Sequence, residues 1–155
     1  MKVLAFNKRA KFDYEILETY EAGVVLFGHE VKSVKTGHVS LRGAFVVLKN
    51  VSGSKLPEAY LVNAHIPLYK HASQVKNHEP TRSRKLLLKK KEIRHLIGKK
   101  QEQGLTLVPI NIYTKHSLVK MTFGVGRGKK KIDKRESIKK RELDRQVRTL
   151  TKRKS

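Results

Sequence analysis

The 155-residue chain has no cysteine, no tryptophan, four prolines and only 13 acidic residues. Without cysteine there is no disulfide framework, no thiolate zinc site and no cysteine nucleophile. No apolar run approaches the ~18 residues that a membrane-spanning helix needs. The opening stretch, Met-Lys-Val-Leu-Ala-Phe-Asn-Lys-Arg, meets charge too early for a signal peptide. These absences predict a soluble cytoplasmic protein. Five tyrosines and five phenylalanines leave little material for a platform that stacks single-stranded bases. What the chain has in excess is positive charge: 36 Lys+Arg against 13 Asp+Glu, a net +23 and a pI near 10.4. Self-repulsion on this scale opposes a compact state and predicts a polyanionic partner. Recurrent Val, Leu, Ile and Phe exclude a wholly disordered chain.

The charge is uneven. Residues 127–155 hold 14 Lys/Arg and 4 Asp/Glu, whereas residues 1–126 hold 22 and 9. This divides the chain into a foldable body, 1–126, and a basic tail, 127–155. The tail has five aliphatic residues, Ile132, Ile138, Leu143, Val147 and Leu150, too few to offset its ordering entropy. The last four form a weak helical stripe. Two readings follow: a segment disordered alone and helical when bound, or a solvated basic extension without fixed structure.

In the body, period two dominates. Alternation over 12–17 and again over 19–27 predicts one long strand, bent or bulged near Gly23. Residues 30–35 predict a short helix ended by Gly37. Strands follow at 44–49 and 60–66 around a Ser/Gly/Pro loop at 50–58. Residues 70–84 have no clean period and read as a long connection. Ile93, Leu96 and Ile97 define an amphipathic helix, with Leu86 one heptad earlier and Gly104 just past its end. Two alternating runs, 105–113 and 118–125, flank a turn at 115–117. Pro109 calls for an edge or a bulge. The fold class is therefore mainly β: a small antiparallel barrel of about six strands with flanking helices and a basic C-terminal tail, compatible with an OB-like fold, although periodicity alone does not fix the strand order.

Catalytic chemistry has little support. The seven histidines show no H-x-x-x-H or H-E-x-x-H spacing, and His65 and His71 have no acidic cluster beside them. Asp13, Glu15, Glu18 and Glu21 share a strand region without evident convergence. Residues 124–130 are glycine-rich but lack the phosphate-loop pattern, and read as a flexible exit from the last strand. No catalytic residue, metal or cofactor is expected. Residues 82–100, in contrast, hold nine Lys/Arg against one Glu. Arg82 and Arg84 are placed to hold phosphates bidentately, and Lys89, Lys90 and Lys91 act as point charges. The alternative is a merely soluble helix face. Scarce aromatics favour recognition of folded RNA by shape, through phosphate and ribose.

A series of segments runs in order along nearly the whole chain: Asn7-Lys-Arg-Ala10, Asp13-Tyr-Glu-Ile16, Tyr20-Glu-Ala-Gly23, Gly28 with Glu30-Val-Lys-Ser33, Asn63-Ala-His-Ile66, Pro80-Thr-Arg82, Arg84-Lys-Leu-Leu-Leu88, Leu107-Val-Pro109, Tyr113, Gly128-Lys-Lys130 and Asp133-Lys-Arg-Glu136. The series resembles the SsrA-binding protein (SmpB) family, partners of transfer-messenger RNA (tmRNA) in bacterial trans-translation. The resemblance implies an OB-like body that binds the tRNA-like domain of tmRNA and carries alanyl-tmRNA to stalled 70S ribosomes. It implies a monomer, one copy per tmRNA, with no membrane role. The tail would enter the empty mRNA channel and meet 16S rRNA of the small subunit. Carried over by position, the tmRNA face comprises Glu21, Lys32, Asn63, His65, Arg82, Arg84, Lys85, Leu87, Lys89 and Lys90. The ribosomal face comprises Gly128, Lys129, Lys130, Ile132, Asp133, Lys134 and Arg135. The chain departs from the family habit with Lys at 89, Ile at 132 and Glu at 79, and its 51–58 loop is longer than usual.

Composition alone fits two other classes. A structural ribosomal component would travel with all ribosomes, and an RNA-processing enzyme would need convergent carboxylates or histidines.

Overall fold

Alternating apolar residues in a chain this basic bury one face and leave the other wet, and the strands do this in register. A computed structural model describes residues 1–70, 75, 77–129 and 131–154; side chains beyond 130 are described only at 135 and 138–148. Seven strands, β1 (Lys2–Phe6), β2 (Tyr14–Val24), β3 (Phe45–Lys49), β4 (Glu58–Val62), β5 (Arg84–Leu87), β6 (Leu105–Lys115) and β7 (Leu118–Gly128), pair entirely antiparallel. The order β6-β3-β4-β5-β2-β7 closes on itself through a β6–β7 pairing, and β1 joins the outer half of β6. The expected barrel-like closure of six strands is thus present, with β1 as a seventh. Among the described residues four helices accompany it: α1 (Ala10–Asp13), α2 (Gly28–Lys35), α3 (Lys90–Gln101) and α4 (Lys131–Lys154).

The main core fills the ring. Val46, Leu61, Leu86, Leu107, Met121 and Phe123 are nearly inaccessible, and Val34 of α2 and Leu96 of α3 complete it. A second, smaller cluster lies outside the ring, where Ala10 of α1 packs on Val108 and Ile110. Strand β6 therefore has core on both faces, which explains its almost continuous burial.

Several boundaries differ from the sequence reading. Residues 10–13 form α1, so β2 starts at Tyr14 rather than at 12. The β2 bulge lies between Ile16 and Glu18, not near Gly23, which pairs regularly with Leu87 and Lys120. Pro109 does sit at a bulge, between Pro109 and Asn111. Strand β4 stops at Val62, because Asn63 turns left-handed at φ 62°. Leu86 belongs to β5 and not to the following helix. Gly37, at φ 83°, stands directly after the last residue of the α2 turn, as the terminating role requires, whereas α3 already ends at the extended Glu102 and Gly104, at φ 81°, lies beyond the stop.

The glycine-rich exit is not a flexible turn. Gly124 and Gly126 lie inside β7, paired with β2 and β6. They are small because side chains of the second cluster press on them. A Cβ at Gly124 would stand 2.7 Å from Ile16 Cγ2 and 3.3 Å from the Glu18 carbonyl oxygen. Ile16 is β-branched and stiff, so relief requires backbone movement. Gly124→Val is expected to cost about 3 kcal/mol through overpacking. Urea denaturation measures it, and a loss under about 0.5 kcal/mol would mean that the site yields freely.

Candidate RNA-binding face

Strand alternation sends Arg84 and Leu86 inward and Lys85 and Leu87 outward. Arg84 is fully inaccessible. Its charge is met by Glu30, one turn before Val34 on the inward side of α2 and only 1% exposed. Arg84 Nε and Nη2 donate to Glu30 Oε2 at 3.0 and 2.7 Å. Arg84 also donates to the carbonyls of Ala64 and Pro80, at 2.7 and 2.9 Å. The other carboxylate oxygen, Oε1, accepts the Phe27 backbone N–H at 2.9 Å and Arg82 Nη2 at 2.5 Å. Burial pushes the Glu30 carboxyl up, but hydrogen bonds from Arg82, the Phe27 N–H and Arg84 outweigh it. The net position is below the ordinary carboxylate range.

This arrangement separates the two arginines that the sequence treats alike. A phosphate contact needs a guanidinium at the surface, and that of Arg84 is inside, with both ends committed. Arg84 is corrected to an internal brace. Arg82 is about one-quarter exposed and lies 4.2 Å over the Phe27 ring.

The brace organises its neighbours. It grips the carbonyl between Asn63 and His65, whose side chains are both exposed. His65 also exchanges two backbone hydrogen bonds with Ser40 at 2.9 Å. On the outer side of α2, Lys32 sits with Nζ 5.8 Å from the Tyr69 ring. Asn63, His65 and Arg82 therefore border one buried ion-pair centre, and Lys32 lies on the far side of the helix that carries Glu30.

A second patch lies on the outer face of β2 and β5. Leu87 is 55% exposed and faces Gly23 across the strand pair. Lys85 pairs with Glu58 at 3.1 Å. Glu21 accepts the Tyr113 hydroxyl and draws in Lys115 and Lys120 at 3.5 and 3.4 Å. The Tyr113 hydrogen bond is the main reason its carboxyl lies below the usual range; slight burial opposes this, and Lys120 and Lys115 reinforce it. Glu21 thus gathers cations around itself, the plainer of the two roles open to a carboxylate here. Lys89 and Lys90 lie at the start of α3, where Glu92 accepts the Lys89 N–H at 3.0 Å. Between α3, β5 and the 53–58 loop runs a groove of about 550 Å³ with Lys55, Lys85, Lys90 and Arg94 among its walls.

Gly128 closes β7 opposite Tyr14, and the Lys129 N–H donates to the Asp13 carbonyl at 2.9 Å. Arg135 is exposed on α4. Lys130 and His71 lie outside the described residues, as do the side chains of Ile132, Asp133 and Lys134. Among the described residues no three His, Asp or Glu side chains are grouped to hold a metal ion, and no helix is long and apolar enough to cross a membrane.

Glu30 was missed as a site residue. The signal was present: Glu30 and Val34 share a helix face, and Arg84 alternates with Leu86, so opposite charges occupy two inward positions. The link between α3 and β2 was missed as well. His95 Nε2 lies 3.1 Å from Glu18, which also accepts the Tyr20 hydroxyl at 3.0 Å. Burial and Glu18 together push the Tyr20 hydroxyl up to about 12.

A closed antiparallel ring with exposed basic residues around a rigid ion-pair centre defines a small β-sheet nucleic-acid-binding protein. Comparison with known proteins is more specific. The SmpB protein family matches residues 4–153. The SsrA-binding protein of Acaryochloris marina is 48% identical over 98% of this chain and 95% of its own. That of Microcystis aeruginosa is 49% identical over 99% and 96%. Among solved structures, a chain from “tmRNA-SmpB: a journey to the center of the bacterial ribosome” matches with a TM-score of 0.65. It is 44% identical, over 89% of this chain and 95% of that one. The chain belongs to the SmpB protein family.

Proposed function

We propose that this chain binds the tRNA-like domain of tmRNA and delivers alanyl-tmRNA to stalled 70S ribosomes for trans-translation. The observation that carries the reading is identity of 48–49% with SsrA-binding proteins over essentially the whole chain. The basic, rigidly braced face supports it. Lys32, Asn63, His65, Arg82, Lys85, Leu87, Lys89 and Lys90 form the RNA surface, with Glu21 setting its local charge. The tail, including Gly128, Lys129, Lys130, Ile132, Asp133, Lys134 and Arg135, serves the mRNA channel and 16S rRNA. It becomes fully ordered there. The protein acts in the cytoplasm as a monomeric adaptor, without catalysis of its own.

The test is binding to the isolated tRNA-like domain, with elongator tRNA as competitor, across a salt series. A strong preference for the tmRNA domain at physiological salt is expected. Equal binding to both, falling steeply with salt, would describe only a folded polycation and overturn the reading.

A further inference from the structure

We infer that Glu30 and Phe27 are positioning residues for RNA binding: together they fix the Arg82 guanidinium at the surface. This rests on the proposed RNA-binding function and goes beyond it in naming two residues that need not touch RNA.

The charge balance of the cluster is the first argument. Arg84 alone neutralises Glu30, with two hydrogen bonds to Oε2. The carboxylate nevertheless holds a second arginine on Oε1. Two guanidinium groups thus share one buried carboxylate. Their mutual repulsion works against the charge on Arg84, after burial and against the pull of Glu30. Arg82 helps to hold the buried carboxylate ionised, yet the cluster as a whole keeps one positive charge that no group within it cancels. An anion arriving from outside meets that positive charge already in place.

Geometry is the second argument. Arg82 is clamped on three sides. Nη2 donates to Glu30, Nη1 donates to the Ser83 carbonyl at 3.2 Å, and the flat face lies on the Phe27 ring. Phe27 in turn stacks on His29 with ring centroids 5.9 Å apart. Each terminal guanidinium nitrogen still has one N–H free of these bonds. A free surface arginine loses rotamer entropy when it grips a phosphate, whereas this one is ordered beforehand. Phe27 is 56% exposed, so it contributes little to the core, and its place over Arg82 is its evident role.

A double-mutant cycle on the full chain tests this, with affinity for the isolated tRNA-like domain measured across salt. Arg82→Ala is expected to weaken binding about tenfold and to reduce the log–log salt slope by about one. Phe27→Ala and Glu30→Gln keep the Arg82 charge. Each should weaken binding about threefold or more with an unchanged slope. Neither should add to the loss already caused by Arg82→Ala. Arg82→Lys should keep the slope, lose affinity and respond less to Phe27→Ala than wild type does, because an ammonium keeps a cation–π attraction but cannot lie flat on the ring. Thermal melts of each variant accompany the binding data. If Glu30→Gln does not fold, the Phe27→Ala and Arg82→Lys arms decide. A merely structural role would lower melting temperatures and leave affinity below the melt untouched. That result, or losses that simply add to Arg82→Ala, would overturn the inference. Failure of the adaptor reading is separately visible, as a wild-type protein that does not prefer the tmRNA domain over elongator tRNA.

Discussion

Arg84→Ala is expected to cost the fold about 3–5 kcal/mol, the range for removing one partner of a buried ion pair. The Glu30 carboxylate would stay buried with its main counter-charge gone. The Ala64 and Pro80 carbonyls would each lose a donor, and a cavity would open between α2 and β5. For a chain of this size the melting temperature should fall by roughly 10 °C or more. The pH dependence has a definite sign. Glu30 titrates below its ordinary value in the folded protein, so its contribution is full at neutral pH. It fades as pH falls below about 4.3, the ordinary glutamate value, and through the lower folded value. The gap between wild type and Arg84→Ala should therefore be widest at neutral pH and narrow in acid. Urea denaturation at both pH values measures this. A cost below about 1 kcal/mol at neutral pH, the level of a surface pair, would remove the internal brace. Wherever the variant remains folded, its salt slope for RNA should match wild type, since Arg84 never reaches the surface. Arg82→Ala should cost less stability, since Glu30 keeps Arg84 and the Phe27 N–H, and should reduce the slope.

The contrast between these two arginines shows what was legible in the residues. Period two is local, so the long strands β2, β6 and β7 could be read directly, and the turn at His116–Ser117 fell where the alternation broke. Both turn residues have positive φ, 52° and 65°, in the manner of a tight hairpin. Strand β5 was not legible. Arg-Lys-Leu-Leu-Leu carries no clear period, and only pairing with β4 on one side and β2 on the other makes 84–87 a strand. Strand β1 is short and lies on β6 alone, so its own sequence had little patterning to show. Ring closure depends on contacts distant in sequence, which no local pattern encodes. At the site, net charge announced a polyanion-binding surface, and the family motifs named its residues. Which cations face outward was decided by β5 register. The nine Lys/Arg of residues 82–100 look uniform until Arg84 is seen buried against Glu30.

Ending the chain at Lys129 should leave body and RNA affinity largely intact while abolishing peptide tagging on stalled ribosomes. The cut point follows from β7, which pairs with β2 through Gly128, and from the Lys129 N–H bonded to Asp13. A cut after 126, where the charge boundary first pointed, would strip two paired residues from the strand. The removed segment carries 12 Lys/Arg and 4 Asp/Glu. It touches the body at α1, where Arg141 lies 5.0 Å from the Phe12 ring centre. Ile138, Leu143 and Val147 are 43%, 62% and 54% exposed, so the aliphatic stripe of α4 is left largely open by the body. A helix with an open stripe and many like charges gains little stability by itself. On the proposed reading a polyanionic channel would supply what it lacks, with phosphates relieving the repulsion and the walls covering the stripe. Stability of the truncated protein should therefore change by less than about 1 kcal/mol. Its affinity for the tRNA-like domain should fall by less than about tenfold, the share of a general electrostatic term. Tagging at the full rate by the truncated protein would remove the tail from ribosome engagement. A collapse of tmRNA affinity would instead move the tail onto the tmRNA face. Loss of tagging with affinity preserved places RNA capture in the strands and sensing of the empty channel in α4.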